Sequence, residues 1–310
     1  LKCLITGGGG FIGSHLADKL LARGDDVLVI DNFVTGSPNN IPNRPRLKVL
    51  SYSIIDGEWL TLAVGNFKPS VIVHAAASYR DPKDWVSDIN TNVLGTANVV
   101  KACQQANGVK RLIYFNTALC YGLHPNTIPT PVEHPLLAEG TTYAITKTTG
   151  EKLITMSGLD YVVFRLATTI GARNISGPVP TFYQRLRDKK PVYVSDTKRE
   201  FIFIDDLVNL VMMAIDGKGH GAYNASRAKD YSIESVLKAV CASMKIEVPR
   251  HDTKPKGEDD TFTICLDPSK TEKDFGWKAT TSLESAIESA VFWYNEHSIG
   301  ETYTHLKLEK

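Results

Sequence analysis

Three side chains have the types and spacing for proton-transfer chemistry. Tyr143-Ala-Ile-Thr-Lys147 is a Y-x-x-x-K pair. On a helix, residues four apart share a face, which sets the Lys147 ammonium beside the Tyr143 phenol. Tyrosine in water ionises near pH ~10, and a nearby cation favours the phenolate. The spacing therefore predicts a phenol that serves as a base near neutrality. Thr117 ends the apolar run RLIYFNT at 111–117 and offers a hydroxyl to the same substrate oxygen. Alone, Y-x-x-x-K is common on surface helices. It becomes specific downstream of a strand-end hydroxyl and a glycine-rich turn.

The elements that must position this chemistry begin the chain. Residues 1–6 read LKCLIT, a short apolar strand. GGGGFIG follows at 7–13, then a run with Ile12, Leu16 and Leu20 at helical spacing and Gly24 as a stop. A second apolar run at 27–30 ends in Asp31. Strand, glycine turn, helix, strand and acid is the order of a dinucleotide-binding fold. Glycines let the backbone approach a pyrophosphate with no Cβ in the way. Two frames fit, Gly7-x-x-Gly10-x-x-Gly13 and Gly8-x-Gly10-x-x-Gly13. A helix starting near Phe11 and Ile12 aims free N–H groups at phosphates. Asp31 can accept both ribose hydroxyl protons and repel a 2′-phosphate, and Asn32 and Phe33 supply no cation. NAD is expected over NADP.

Further apolar runs at 47–52, 69–74, 111–117 and 161–166 are joined by helical patterns at 91–105 and 141–157. This predicts an α/β fold, a doubly wound parallel sheet of the Rossmann type. Ala75 and Ala76, after VIVH, are small enough to let a cofactor come close. His74 reads as a structural strand-end residue. Asp56 has two readings, a bond to the adenine amine or a helix N-cap. The loop SYRDPKD at 78–84, with Tyr79 and Arg80, follows a strand's carboxyl end, where open α/β sheets bind ligands. After residue 166 the alternation is lost, and 171–181 is rich in Gly and Pro. Residues 1–165 and 199–225 are expected to form the NAD-binding domain. Residues 166–198 and 226–310 would form a smaller, interleaved substrate domain.

A chain of 310 residues suits one large domain or two modest ones. A net charge of +1 gives no reason to expect nucleic acid or a membrane surface. No apolar run approaches the ~18 residues of a membrane helix, and no signal peptide is visible. The five cysteines are scattered without C-x-x-C. They point to reduced thiols in a cytoplasm, with no disulfide frame and no metal site.

These motifs resemble the extended short-chain dehydrogenase/reductases, the NAD-dependent nucleotide-sugar epimerases and dehydratases. The likeness runs through TGGGGFIGSHL, Asp31, HAAA, TNVLGT, NTALCYG, YAITK, VVFRLATTIGAR, REFIFIDD and DFGWKATTSLESAI. TALCYG, GPVPTFYQRL and DPSKT resemble most the epimerase/dehydratases of bacterial O-antigen loci. The resemblance implies that Thr117, Tyr143 and Lys147 are catalytic and that Lys147 also holds the nicotinamide ribose. It implies that Pro180, Thr181 and Phe182 cradle a uracil and that Arg199 grips the diphosphate. It also implies a homodimer built as a four-helix bundle from the helices at 91–105 and 141–157, with Val93, Ala97 and Val100 as an apolar stripe.

Departures from the family refine the expectation. Thr168 stands where the family often has Asn. A second diphosphate arginine is missing near KPKGEDD, where Lys254 or Lys256 can substitute. The 4,6-dehydratases carry Asp-Glu after the strand-end threonine, but Ala118 and Leu119 stand here. Cys120 reads as a packing residue. The expected activity is C4 inversion of a UDP-hexose or UDP-hexuronic acid through a 4-keto sugar. Dehydration, an oxidase-type step or another modification of the same sugar through a 4-keto intermediate is the alternative, and an NAD sensor without activity is the non-enzymatic one. Arg80 has two readings, a contact to a uronate carboxylate or a surface pair with Asp81 or Asp84.

Overall fold

The computed structural model describes residues 1–257, 260–297 and 299–302. Residues 303–310 of the expected second domain, and 258 and 259 of KPKGEDD, lie outside the described residues. The nucleotide-binding part opens with β1 (Lys2–Thr6), α1 (Phe11–Arg23), β2 (Asp26–Asp31), β3 (Leu47–Ser51), α2 (Gly57–Phe67) and β4 (Val71–His74). A helical run follows as α3 (Trp85–Asp88), a π-helical turn (Ile89–Gly95) and α4 (Thr96–Gln105). Then come β5 (Arg111–Thr117), α5 (Thr142–Thr155) and β6 (Tyr161–Leu166). The rest is β7 (Thr168–Ile170), α6 (Pro178–Arg187), β8 (Tyr193–Ser195), β9 (Lys198–Phe203), α7 (Ile204–Ile215), β10 (Gly221–Ala225), β11 (Asp230–Ser232), α8 (Ile233–Ser243), β12 (Asp252–Lys254), β13 (Thr263–Ile264), α9 (Ser269–Phe275) and α10 (Leu283–Glu296).

Seven strands form the main sheet in the order β10-β6-β5-β4-β1-β2-β3, all parallel. Their central residues are apolar on both faces because helices cover both. Leu16 and Leu20 of α1 and Leu207 and Val211 of α7 fill one side. Leu60 and Val64 of α2, Val99 and Ala102 of α4, and Ile154 of α5 fill the other. The doubly wound Rossmann sheet read from the sequence is therefore present.

Register places the site. Thr6 pairs with His74, His74 with Tyr114, and Thr117 with Leu166. Thr6, Asp31, His74, Thr117 and Leu166 thus end their strands along one edge of the sheet. His74 is fully buried there and bridges Thr6 Oγ1 at 2.7 Å and Thr96 Oγ1 at 2.9 Å, the structural role expected of it.

The smaller part has β9 between β11 and β13, with β7 also on β9, and a separate β8–β12 pair. Helices α6, α8 and α10 pack there around Val179, Phe182, Leu237 and Ile287. The expected division counts 199–225 with the nucleotide-binding part, but β9 lies in this second sheet. Only α7 and β10 return to the first. The chain passes from the main sheet to the smaller part after β6, returns after β9 and leaves again after β10, and α9 with Trp277 and Ala279 comes back once more to the core of the main sheet.

Candidate active site

A cleft of about 1740 Å³ runs along the carboxyl edge of the main sheet and into the smaller part. That exceeds the ~300–1,000 Å³ of an ordinary small-molecule pocket, so it has room for a dinucleotide and a second ligand.

One end is built by the glycine turn. Gly7 has φ +70°, and a Cβ on it would stand 2.5 Å from the Ala76 nitrogen. A Cβ on Gly13 would stand 2.3 Å from the Gly7 carbonyl oxygen. The observed turn thus needs glycine at Gly7 and Gly13, and Gly10 caps α1. Gly7, Gly10, Phe11, Ile12, Gly13, Ala75 and Ala76 all line the cleft. Asp31 and Asn32 line it too. The Asp31 carboxylate accepts the Gly9 N–H at 2.8 Å and the Phe33 N–H at 2.7 Å, which fixes its plane. Burial pushes its carboxyl above the usual carboxylate range, while these N–H groups oppose the shift. A glycine cradle at a helix N-terminus, with a carboxylate at the end of β2, fits NAD. Asp56 does not line the cleft; it caps α2, accepting the Trp59 N–H at 3.1 Å. That is the N-cap reading of this residue, and the cap engages Oδ1.

The reacting groups sit in the middle. Thr117 ends β5, and its hydroxyl accepts the Leu119 N–H at 3.3 Å. Thr141 caps α5 by accepting the Ala144 N–H at 3.1 Å, which starts the helix just before Tyr143. Thr117, Tyr143 and Lys147 all line the cleft. The helix sets Tyr143 and Lys147 four residues apart, and both line the cleft. Lys147 Nζ lies 4.0 Å from the centroid of the Tyr114 ring, beneath the helix, in a cation–π contact. Burial brings its pKa down from 10.5 to about 7, and Glu151 partly offsets this. Burial, then Tyr79 and Asp88, push the Tyr143 phenol well above its ordinary value. The Tyr79 ring meets it edge-on, with centroids 6.1 Å apart.

Two supports of this centre went unread in the sequence. Asn92, inside the π-helical turn, accepts the Ser78 N–H at 2.9 Å and donates to the Ser78 carbonyl at 2.9 Å and to Thr146 Oγ1 at 3.1 Å. It pins the loop that carries Tyr79 to the helix that carries Tyr143. Below Thr117, Asn116 donates to Glu151 Oε2 at 2.6 Å, and Arg165 Nη2 pairs with Glu151 Oε1 at 2.6 Å. Arg165 also donates to Tyr121 Oη at 2.8 Å, and Tyr121 to Asn224 at 2.7 Å. The available signal was a charge inside the apolar strand YVVFRL, which demands a buried partner.

At the substrate end Tyr79, Arg80, Thr168 and Arg199 line the cleft, but Pro180, Thr181 and Phe182 do not. The latter are buried in α6, where Phe182 packs in the apolar cluster of α8 and α10. The wall is instead the segment leading into α6, including Asn174, Ile175 and Pro178. Arg199 is engaged by the Asp260 carboxylate and by the Thr261 carbonyl at 3.0 Å. Lys254 lines the cleft with Nζ 4.2 Å from the Tyr193 ring centroid, whereas Lys256 turns to the carbonyls of Gly257 and Asp260. Arg80 pairs with Glu301 at 3.3 Å. Arg173, also unread, lines the cleft, pairs with Asp18 of α1 at 2.7 Å, and holds a buried Nη1 with no protein partner. Cys120, Glu133 and His134 are not among the lining residues.

Among the described residues no cluster of metal-ligating side chains occurs. No helix among them is long and apolar enough to cross a membrane.

Known proteins resemble this chain over most of its length. The profile of the NAD dependent epimerase/dehydratase family matches residues 3–226. The crystal structure of the Bordetella bronchiseptica enzyme WbmH in complex with NAD+ superposes with a TM-score of 0.92 at 42% identity, covering 96% of this chain and 99% of that one. WbmG of the same organism, in complex with NAD and UDP, gives 0.90 at 40% identity, covering 98% and 97%. The UDP-glucose 4-epimerase of Lacticaseibacillus casei is 26% identical over 96% of this chain and 97% of its own.

Proposed function

The chain belongs to the NAD dependent epimerase/dehydratase family, and on that premise we propose that it inverts C4 of a UDP-linked hexose or hexuronic acid. One observation carries the choice of reaction. Thr117, Tyr143 and Leu119 line the cleft, and neither Ala118 nor Leu119 can donate or accept a proton. The site thus has groups for moving the 4-hydroxyl proton and none after Thr117 for expelling the 6-hydroxyl.

Each residue then has a task. The Thr117 hydroxyl orients the sugar O4 toward the Tyr143 phenol. Tyr143 takes the O4 proton as the carbonyl forms and returns it when the carbonyl is reduced. NAD, when bound, would supply the two-electron oxidant, a positive nicotinamide charge that favours the phenolate, and the same electrons on the way back. The 4-keto sugar turns over between the two halves, so that reduction reaches its other face. Lys147 lies one helical turn from Tyr143, where it can hold the nicotinamide ribose. Asp31 would take the adenosine ribose, with Gly7, Gly10, Phe11, Ile12 and Gly13 around the pyrophosphate. Arg199 and Lys254 are the cations nearest in role to diphosphate ligands, and Arg199 must exchange Asp260 to serve.

The dehydratase reading needs an acid and a base near C6. Cys120, Glu133 and His134, its available replacements, do not line the cleft. General acid–base help is worth ~10²–10⁴-fold per group, so elimination without it falls far behind hydride return. Incubation with UDP-sugars, followed by mass spectrometry and proton NMR, tests this. The expected product keeps its mass and is inverted at C4. A product lighter by one water, without inversion, overturns the reading.

The assembly we propose is a homodimer through α3, α4 and α5. Trp85, Val86 and Ile89 on the first helical run, and Ile145 and Met156 of the α5 region, are exposed large apolar side chains. Val100 of the expected stripe packs against the core instead. The five described cysteines are buried and free, which suits a reducing compartment such as the cytoplasm.

A further inference from the structure

The segment after α10 returns to the cleft. Gln184 of α6 donates to the Gly300 carbonyl at 2.9 Å and accepts the Thr302 hydroxyl at 2.9 Å. These bonds strap residues 300 and 302 to the smaller part, with Glu301 between them. The Glu301 carboxylate then meets Arg80 Nη2 at 3.3 Å. Arg80 belongs to the loop after β4, so the pair joins the two walls of the cleft. Arg80 and Gly300 both line it, and the residue before Arg80, Tyr79, lies against the Tyr143 ring.

This ion pair is made to be exchanged. The two side chains are 43% and 85% exposed, and pairs so exposed contribute little to stability. A guanidinium presents a planar fork that matches a carboxylate bidentately. It stands next to the loop residue that touches the reacting phenol. In a hexuronic acid the carboxylate carbon is attached to C5, the carbon next to C4. With O4 at Tyr143, the carboxylate carbon is two bonds from C4, and Tyr79, the neighbour of Arg80 in the chain, is the loop residue against that phenol. A neutral hexose offers only a hydroxyl there and cannot compensate for a displaced Glu301.

We propose that Glu301 is a tethered stand-in for a substrate carboxylate, and that Arg80 exchanges it for the C6 carboxylate of a UDP-hexuronic acid. The proposal rests on the UDP-sugar 4-epimerase reading. Glu301 then acts as an internal competitor against acidic sugars, and Arg80 determines the preference for them.

The test uses the full chain with NAD and two probes, UDP-glucuronate and UDP-glucose. Calorimetric Kd and the KM for C4 inversion are measured for each. Glu301→Gln keeps the shape and removes the competing charge. It should lower Kd and KM for UDP-glucuronate about tenfold, the scale of one charge-assisted hydrogen bond, and leave those for UDP-glucose in place. Arg80→Gln should raise the ratio of the two KM values by about tenfold against the uronate. In that background Glu301→Gln should have no further effect. Equal shifts for both sugars, or an unchanged uronate affinity in Glu301→Gln, overturn the exchange. If the wild type inverts UDP-glucose while these arms fail, the exchange falls and the 4-epimerase reading stands. If it inverts neither sugar, both fall.

Discussion

At the scale of single residues, charge placement decides what the site accepts. Asp31 presents a fixed carboxylate to the adenosine ribose, and Asn32 and Phe33 beside it carry no positive charge. NAD should therefore bind much more tightly than NADP, and equal affinities by calorimetry would refute this. Lys147 supplies a second test. Its pKa is about 7 in the fold and 10.5 when free, so above pH 7 the unfolded chain binds more protons than the folded one. Stability from this group rises as pH rises from 7 toward 10.5. Buried Cys3 and Cys103, pushed up to about 12 from 9.0, work the opposite way above pH 9. The clean window is thus pH 7 to 9. The melting temperature of Lys147→Met, measured beside the wild type, should lack the rise that the wild type shows there. Thr117, Tyr143, Lys147 and Asp31 were legible because each is set by local spacing or a strand end. Arg199 was only half legible. Its tie to Asp260 spans 61 residues, which no local pattern reports.

At the scale of elements, what holds the reacting residues is a buried network. Glu151 of α5 takes Asn116 from β5 and Arg165 from β6, and both charges of the ion pair are almost fully enclosed. Removing one partner strands the other charge in a low-dielectric interior. Arg165→Met should cost about 3–5 kcal/mol of unfolding free energy, read by urea denaturation. Glu151→Gln with Arg165→Met together should cost less than the sum of the two single changes. Parallel strands and their helices were legible as apolar runs with helical spacing between them. The inward turn of Pro180, Thr181 and Phe182 was not. The sequence there reads as a Gly/Pro-rich stretch, but Pro178 sits in the first turn of α6 and the apolar core of the smaller part draws the next residues in. The π-helical turn was also hidden, since one extra residue per turn leaves the local composition unchanged.

At the scale of the whole molecule, exposed apolar surface and chain path set the behaviour. Val86 is 67% exposed on the first helical run, and Met156 is 78% exposed just after α5. If this face pairs about a two-fold axis, sedimentation at micromolar concentration should give a dimer. Val86→Glu should then give a folded monomer, because a charge at the centre of an apolar contact is costly there and harmless in water. A wild type that sediments as a monomer would count against the assembly. The chain path has a different consequence. Because the polypeptide crosses between the sheets after β6, β9 and β10, the edge strand of the nucleotide-binding half is synthesised only after β7, α6, β8 and β9 of the other half. Neither half exists as one uninterrupted stretch of sequence. A protease nick between β10 and β11 should leave both fragments associated, and a gene fusion that borrows residues 1–166 alone would inherit a sheet missing its last strand. An exchange of either half with a relative therefore needs more than one crossover in the gene, whereas a substitution within the cleft needs none.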